Sequence, residues 1–314
     1  MPISTGRVEL ILPNRGTLFF NPSSGAKLSE GDGQALKAAA QGAGLDVIEL
    51  KEGVDVPKVM RKAMAGGQRL FVAAGGDGTV NCVVQILVEH PEAELAVVPV
   101  GTYNHFARDL GIPLDWKEAL DVALEGEARR VDAVKVNDQF FVNNISIGLY
   151  PEMVAHREER GRDYPRWKAR LFAIYKTLQR FPHVTLKIET NHHQEVLRTH
   201  VFMVSNNSYD LSQIGVEASR GTLEEGKITV YWLPHIRRIA LMKFVANYLA
   251  GRVHATPGFR SFRNTELKVA SSRPTIKVGV DGELVTFKTP LQITSVPQSL
   301  TVRVPKPGQP TSAE

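Results

Sequence analysis

The sequence predicts an α/β protein in two parts: an N-terminal doubly wound parallel α/β domain, then a C-terminal antiparallel, β-sandwich-like domain. Three observations carry this. Short apolar runs alternate with helical patterns from Thr17 to His90, the rhythm of a parallel sheet covered by helices on both faces. From Val131 onward strand patterns predominate, separated by turn residues such as Asn137-Asp138 and Asn191-His192-His193, the rhythm of antiparallel pairing. Three apolar runs of the first part end in small polar residues and glycine, the composition expected where ligands collect at the carboxyl ends of parallel strands.

In order, the first part reads as strand Thr17–Asn21, helix Glu30–Gly42, strand Leu45–Leu50, helix Pro57–Ala65, strand Arg69–Ala73, helix Val80–His90 and strand Glu94–Val98. Val8–Leu12 precedes them as an extra strand or an arm. Helix Trp116–Glu125 stops at Gly126, after which the texture changes. The second part reads as strands Val131–Val136, Gln139–Asn143, Val184–Glu189, Val196–Val204, Lys227–Leu233, Thr275–Asp281, Leu291–Val296 and Leu300–Val304. Helical stretches near Tyr164–Arg180 and His235–Ala250 interrupt them. The expected division is residues 1–130 as a nucleotide-binding domain, 131–304 as a β-rich domain for the acceptor substrate, and 305–314 as a disordered tail rich in Pro, Gly and Ser.

Composition narrows the function classes. With 43% hydrophobic and 23% charged residues among 314, the chain is an ordinary globular protein rather than a disordered or fibrous one. No apolar run approaches the roughly 18 residues that span a bilayer. Val8–Leu12 is too short for a signal-peptide core, so the expected compartment is the cytoplasm. Cys82 is the only cysteine, which excludes an intrachain disulfide. The net charge of +5 admits nucleic acid, an anionic membrane or a nucleotide. There is no RNP-like aromatic motif, zinc spacing or basic arm, so no nucleic acid partner is expected.

The most informative segment is Leu70–Ala74 running into Gly75-Gly76-Asp77-Gly78-Thr79-Val80-Asn81. A buried strand delivers three glycines and a carboxylate to a turn ahead of an apolar helix, where backbone N–H groups can approach phosphate without Cβ obstruction. It is not a Walker A loop, because no Lys-Ser/Thr follows, and Asn81 replaces the third glycine of the dinucleotide fingerprint. A phosphate donor held by glycines and Thr79, with Asp77 acting through a metal, fits better than a dinucleotide; a plain chain-reversing turn is the alternative. Two other strand ends carry Asn21-Pro22-Ser23-Ser24-Gly25 and Pro99-Val100-Gly101-Thr102-Tyr103-Asn104-His105-Phe106-Ala107-Arg108, and Val278-Gly279-Val280-Asp281-Gly282-Glu283 lies far downstream.

Together these four segments, in this order from about Thr17 to about Val304, resemble the diacylglycerol kinase catalytic family, which includes sphingosine and ceramide kinases and small bacterial lipid kinases. The resemblance implies an ATP-dependent lipid kinase that transfers the γ-phosphoryl group to a hydroxyl of diacylglycerol, ceramide or a sphingoid base in a cleft between the domains, as a step of phospholipid metabolism. It implies ATP and Mg2+ as cofactors, and a nucleotide site of Asn21, Gly75, Gly76, Gly78, Thr79, Thr102 and Asn104; for Asn21, Thr102 and Asn104 the alternative is local turn chemistry, since such side chains bond their own backbone in loops. Asp77 would act through magnesium, Glu283 would be the base that meets the acceptor hydroxyl, and Asp281 would orient water or metal beside it. For Asp281-Gly282-Glu283 the alternative is a bare hairpin turn, since Asp-Gly between apolar runs is a hairpin signal in itself. Arg108 would pair with phosphate or with a structural carboxylate.

Two departures from the family pattern stand out. His105 replaces a common Asp, and Glu225-Gly226-Lys227-Ile228-Thr229 replaces an Asp-Gly-x-Leu-Asp segment that supplies oxygen ligands to a structural magnesium, which puts that second metal in doubt. The alternatives are an NAD-kinase-like or phosphofructokinase-like small-molecule kinase, or a nucleotide-binding regulatory protein without catalysis. Basic and aromatic residues interleave over Arg157–Arg180, and again at Arg237, Arg238 and Lys243. That pattern suits either peripheral contact with an anionic membrane or packed helices with solvated edges. A homodimer is left open.

Overall fold

A computed structural model of the chain describes residues 15–24, 28–148, 183–191, 193–207, 223–234, 240, 260–281 and 283–311. The expectations for Val8–Leu12, Gly25, the stretches 157–180 and 235–250, His192 and Gly282 lie outside these residues. The chain forms two units, residues 1–129 with 301–314, and residues 130–300.

The first unit alternates strands and helices: β1 (Gly16–Phe20), α1 (Glu30–Gly42), β2 (Leu45–Glu49), α2 (Val56–Ala65), β3 (Leu70–Gly75), α3 (Asp77–Leu87), β4 (Glu94–Pro99), α4 (His105–Asp109) and α5 (Trp116–Glu125). The strands lie side by side in the order β4-β3-β1-β2, all parallel. Leu18, Phe19, Phe71, Val72, Ala73 and Ala96 are fully buried, as a sheet covered on both faces requires. Helix starts follow capping chemistry. Ser29, Asp55 and Asp115 each accept a first-turn amide, an interaction whose loss typically costs about 1 kcal/mol. The register places Phe20 beside Ala74, Ala74 beside Val98 and Gly75 beside Pro99. The carboxyl ends of β1, β3 and β4 are therefore level, and their loops meet.

The second unit is built from antiparallel strands. They are β5 (Glu127–Val136, entering from the first unit), β6 (Gln139–Phe141), β7 (Asn144–Gly148), β8 (Val184–Glu189), β9 (Gln194–Ser205), β10 (Ile228–Pro234), β11 (Arg260–Asn264), β12 (Glu266–Ser271), β13 (Thr275–Val280), β14 (Glu283–Lys288) and β15 (Leu291–Val304). The long β9 is the hub: it pairs with β8 through its first half, with β7 through its second, and with β10 along Thr199–Ser205. Ile145, Ile147, Phe202, Val204, Ile228, Val230, Val278 and Ile293 form its core.

Three differences from the sequence-based expectation matter. Leu291–Val296 and Leu300–Val304 are one strand, β15, whose last residues belong to the first unit, where Thr301 and Val302 run parallel to Glu94 and Leu95. Pro297 and Gln298, whose φ is +48°, produced the apparent break. Helix α3 begins at Asp77 rather than Val80 and ends at Leu87. Within the expected disordered tail, Lys306 and Gln309 close a hydrogen-bonded turn.

Candidate functional site

Gly76 is the N-cap of α3, and no side chain caps it. Asp77, Gly78 and Thr79 therefore form the first helical turn, where the helix dipole favours an anion. The glycines allow this packing. A Cβ on Gly75 would lie 2.2 Å from Thr79 Oγ1, and one on Gly101 would lie 2.3 Å from the Gly76 Cα and 2.7 Å from Asn104 Oδ1. The β3 and β4 loops thus touch backbone to backbone.

Side chains from the β1 loop complete the cradle. Asn21 Nδ2 donates to Thr79 Oγ1 at 3.1 Å, Ser24 Oγ accepts from Gly76 N at 3.2 Å, and the Ser24 and Thr79 hydroxyl oxygens are 3.4 Å apart. Ser24 lies in the Asn-Pro-Ser-Ser-Gly segment but is not among the site residues that the family resemblance implies. Its position two residues beyond the Asn-Pro turn was the available signal. From the β4 side, Asp77 Oδ1 accepts the Phe106 amide at 3.3 Å, tying the start of α3 to the start of α4.

Asn104 proves to be the internal brace of its loop. It is buried and left-handed at φ +52°; its Oδ1 accepts from Gly101 N, and its Nδ2 donates to the Pro99 and Gly101 carbonyls. Thr102 is exposed on the same loop. His105 stacks on Tyr103, with centroids 5.6 Å apart and planes 6° apart, and Arg108 Nε donates to the Tyr103 carbonyl.

A cleft of about 380 Å³ opens beside the cradle, lined by Phe20, Asn21, Ser24, Lys37, Glu49 and Val100 among others. Lys37 hydrogen-bonds Glu49 at 3.3 Å and holds its carboxyl below the ordinary value, with Lys51 adding to the effect. Glu49 is thus an anion at the carboxyl end of β2.

Gly101→Ala should collapse this geometry. The new methyl would meet backbone on one side and the Asn104 brace on the other, so no side-chain movement relieves it. Overpacking of this kind costs roughly 1–3 kcal/mol or more. The expected result is a lower melting temperature by circular dichroism together with loss of nucleotide binding by calorimetry; unchanged nucleotide binding would remove the cradle assignment.

In the second unit, Val280 pairs with Glu283, so β13 and β14 form a hairpin whose two-residue connection begins with Asp281 at φ +47°. Glu283 is exposed at the head of β14. The Asp281 side chain, expected to orient water or metal, accepts three backbone amides: Val142 N on Oδ2, Asn143 N and Asn144 N on Oδ1.

The residues fit a nucleotide's phosphates through the glycine cradle and first-turn amides. For a metal, Asp77 supplies one carboxylate, which suits magnesium carried mainly by phosphate oxygens and water. Among the described residues no group of three His, Cys, Asp or Glu converges. At the segment where the sequence puts the family's structural magnesium in doubt, Thr229 is buried opposite Arg263 on the neighbouring strand, and the Arg263 guanidinium pairs with Glu225. A cationic side chain on that carboxylate is a donor set unsuited to magnesium.

Residues 15–136 match the diacylglycerol kinase catalytic domain. A diacylglycerol kinase of Staphylococcus carnosus is 32% identical over 142 residues, covering 44% of this chain and 46% of the relative. One from Staphylococcus aureus is 36% identical over 132 residues, covering 41% and 42%. These alignments span less than half the length of those relatives. Among solved structures, a diacylglycerol kinase from Bacillus anthracis str. Sterne shares the fold at TM-score 0.65 and 20% identity, over 94% of this chain and 98% of that one. Another chain from the same organism reaches TM-score 0.71 at 23% identity with the same coverage. No described helix is long and apolar enough to cross a membrane. The loops of the phosphate cradle thus lie within the segment, residues 15–136, that matches the diacylglycerol kinase catalytic domain.

Proposed function

We propose that the chain is a lipid kinase that transfers the γ-phosphoryl group of ATP to a lipid hydroxyl of the diacylglycerol, ceramide or sphingoid-base class. The observation that carries this is the side-chain-free contact between the Gly76 and Gly101 loops at the start of α3, braced by Asn21, Ser24 and Asn104. Phosphoryl transfer asks the protein chiefly for positioning and charge compensation. Gly75, Gly76, Gly78 and Thr79 hold the phosphates, with Asn21 fixing the Thr79 hydroxyl. Thr102 stands exposed on the facing loop for a further polar contact, while Asn104 keeps that loop in shape. Asp77 is the carboxylate that would hold magnesium, which when bound offsets phosphate charge. Glu283 receives the proton of the acceptor hydroxyl as its oxygen bonds to the γ-phosphorus and the bond to ADP breaks.

Transfer of labelled γ-phosphate from ATP to a panel of diacylglycerol, ceramide, sphingosine and NAD tests this reading. Labelled lipid is the expected product. Labelled NAD alone, or no labelled product, would overturn it.

Peripheral contact with anionic membrane belongs to the same proposal. It is supported by the sequence pattern of Arg157–Arg180 and checked by sedimentation with anionic vesicles, which added salt should weaken. Equal sedimentation with neutral vesicles at high salt would defeat it.

A further inference from the structure

We infer that Asp281 is a positioning residue: its carboxylate anchors the hairpin that carries Glu283 to the neighbouring β6–β7 turn through backbone amides, and neither metal nor water is its partner in the reaction. The inference rests on the reading of Glu283 as the base.

The connection between β6 and β7, Val142 and Asn143, leads into Asn144 at the head of β7, and this turn is gripped from two sides. On one side, all three amides point at the Asp281 carboxylate, at 3.1, 3.1 and 2.9 Å. Successive amides turned toward one anion form a nest, and here the anion is built into the chain. On the other side, the carbonyls are occupied. Asn206 Nδ2 donates to the Val142 carbonyl, and both Asn206 N and Ser205 Oγ donate to the Asn143 carbonyl. The Asp281 amide closes the ring by donating to the Asn144 carbonyl at 2.9 Å. The turn is thereby fixed to β9, and Asp281 is fixed to the turn.

Asp281 is only 8% exposed, so protein groups, these amides among them, compensate its charge more than solvent does. Three amides, two of them buried, take up most of the acceptor capacity of this carboxylate, and turning it toward a metal would strain or break bonds whose loss leaves a buried donor unpaired. Its backbone, meanwhile, begins the connection that ends at Glu283, and the left-handed φ of +47° suits the tight hairpin. Any shift of the Asp281 side chain therefore moves the strand end on which Glu283 stands. Since Glu283 is exposed and heads its strand, its own contacts do little to fix it, and the anchor supplies what they lack.

Asp281→Asn tests the inference. Asparagine tolerates a left-handed φ, so the hairpin turn is kept, and its carbonyl oxygen can still accept two of the amides. Its NH2 group, however, meets the Val142 amide donor to donor. The expected result is kcat lowered roughly 10- to 100-fold, the range that a misplacement of about 1 Å produces, with the KM for ATP unchanged. The loss should persist when magnesium is raised, and the amides of Val142–Asn144 should exchange faster with deuterium.

Val278→Ala, a cavity in the buried core of the same strand, serves as the control. It lowers stability without touching the anchor and should retain the wild-type kcat. Recovery of Asp281→Asn at high magnesium, a kcat within twofold of wild type, or an equal loss in Val278→Ala would each overturn the positioning role. If Asp281→Asn is impaired while Glu283→Gln is fully active, the base assignment fails and takes this role with it.

Discussion

Asp77→Asn should leave the chain folded and nucleotide bound, yet cut phosphoryl transfer by roughly 10³-fold, the equivalent of about 4 kcal/mol of transition-state stabilisation. The geometry separates the two roles of this residue. Its Oδ1 accepts the Phe106 amide and ties the β3 loop to α4, and an asparagine oxygen can do the same. What the substitution removes is the negative charge in the first turn of α3, the only part that could hold a magnesium ion against the phosphates. Asp77→Ala removes both, so it should lose the same activity and, in addition, about 1 kcal/mol of stability from the missing loop bond. Single-turnover transfer at saturating magnesium and thermal unfolding of both variants decide the matter. A wild-type rate in Asp77→Asn would reduce Asp77 to a loop tie.

The legible part of the site was the part whose residue types are forced by backbone geometry. Gly75 and Gly101 admit no Cβ, and a parallel strand running into such glycines can be read directly. The course of the parallel strands was equally plain, because burial on both faces leaves near-continuous apolar runs such as Phe71–Ala74. Less legible was where a functional segment is itself regular structure. Asp77-Gly78-Thr79 looked like loop because of its glycine, yet it is the first turn of α3. The family resemblance assigns Asn104 and Asp281 to ligand, water or metal, with local turn chemistry and a hairpin turn as the respective alternatives. The structure occupies their side chains with backbone groups of their own neighbourhood. Sequence marks that a polar side chain is wanted at a position, but whether it faces a ligand or a buried amide depends on the tertiary partner. The second unit hid its strands for a related reason. β11 and β12, reading Arg-Ser-Phe-Arg-Asn and Glu-Leu-Lys-Val-Ala-Ser, alternate charge with apolar residues over too few positions to stand out. β14 begins within the acidic motif that had drawn a chemical reading.

Glu283→Gln is the variant on which the hairpin and the base give opposite results. The substitution keeps length and shape, and the backbone pairing of Glu283 with Val280 does not involve the side chain. Folding and the anchor formed by Asp281 should therefore be undisturbed, and the melting temperature should match wild type. An amide, however, cannot accept the acceptor's proton, and a general base is typically worth about 10²–10⁴-fold in rate. The expected loss is of that size and falls on kcat. The affinity for ATP should hold, because the phosphate cradle, among the described residues, is assembled from the β1, β3 and β4 loops of the first unit. Glu283→Asp grades the effect: it keeps the charge but withdraws it by one methylene, so its rate should fall between wild type and Glu283→Gln. If the carboxylate only decorates an exposed strand end, both variants should turn over at the wild-type rate. Measuring lipid phosphorylation and ATP affinity on both variants separates these outcomes, and full activity in Glu283→Gln would leave Asp77 as the one carboxylate still assigned to the chemistry.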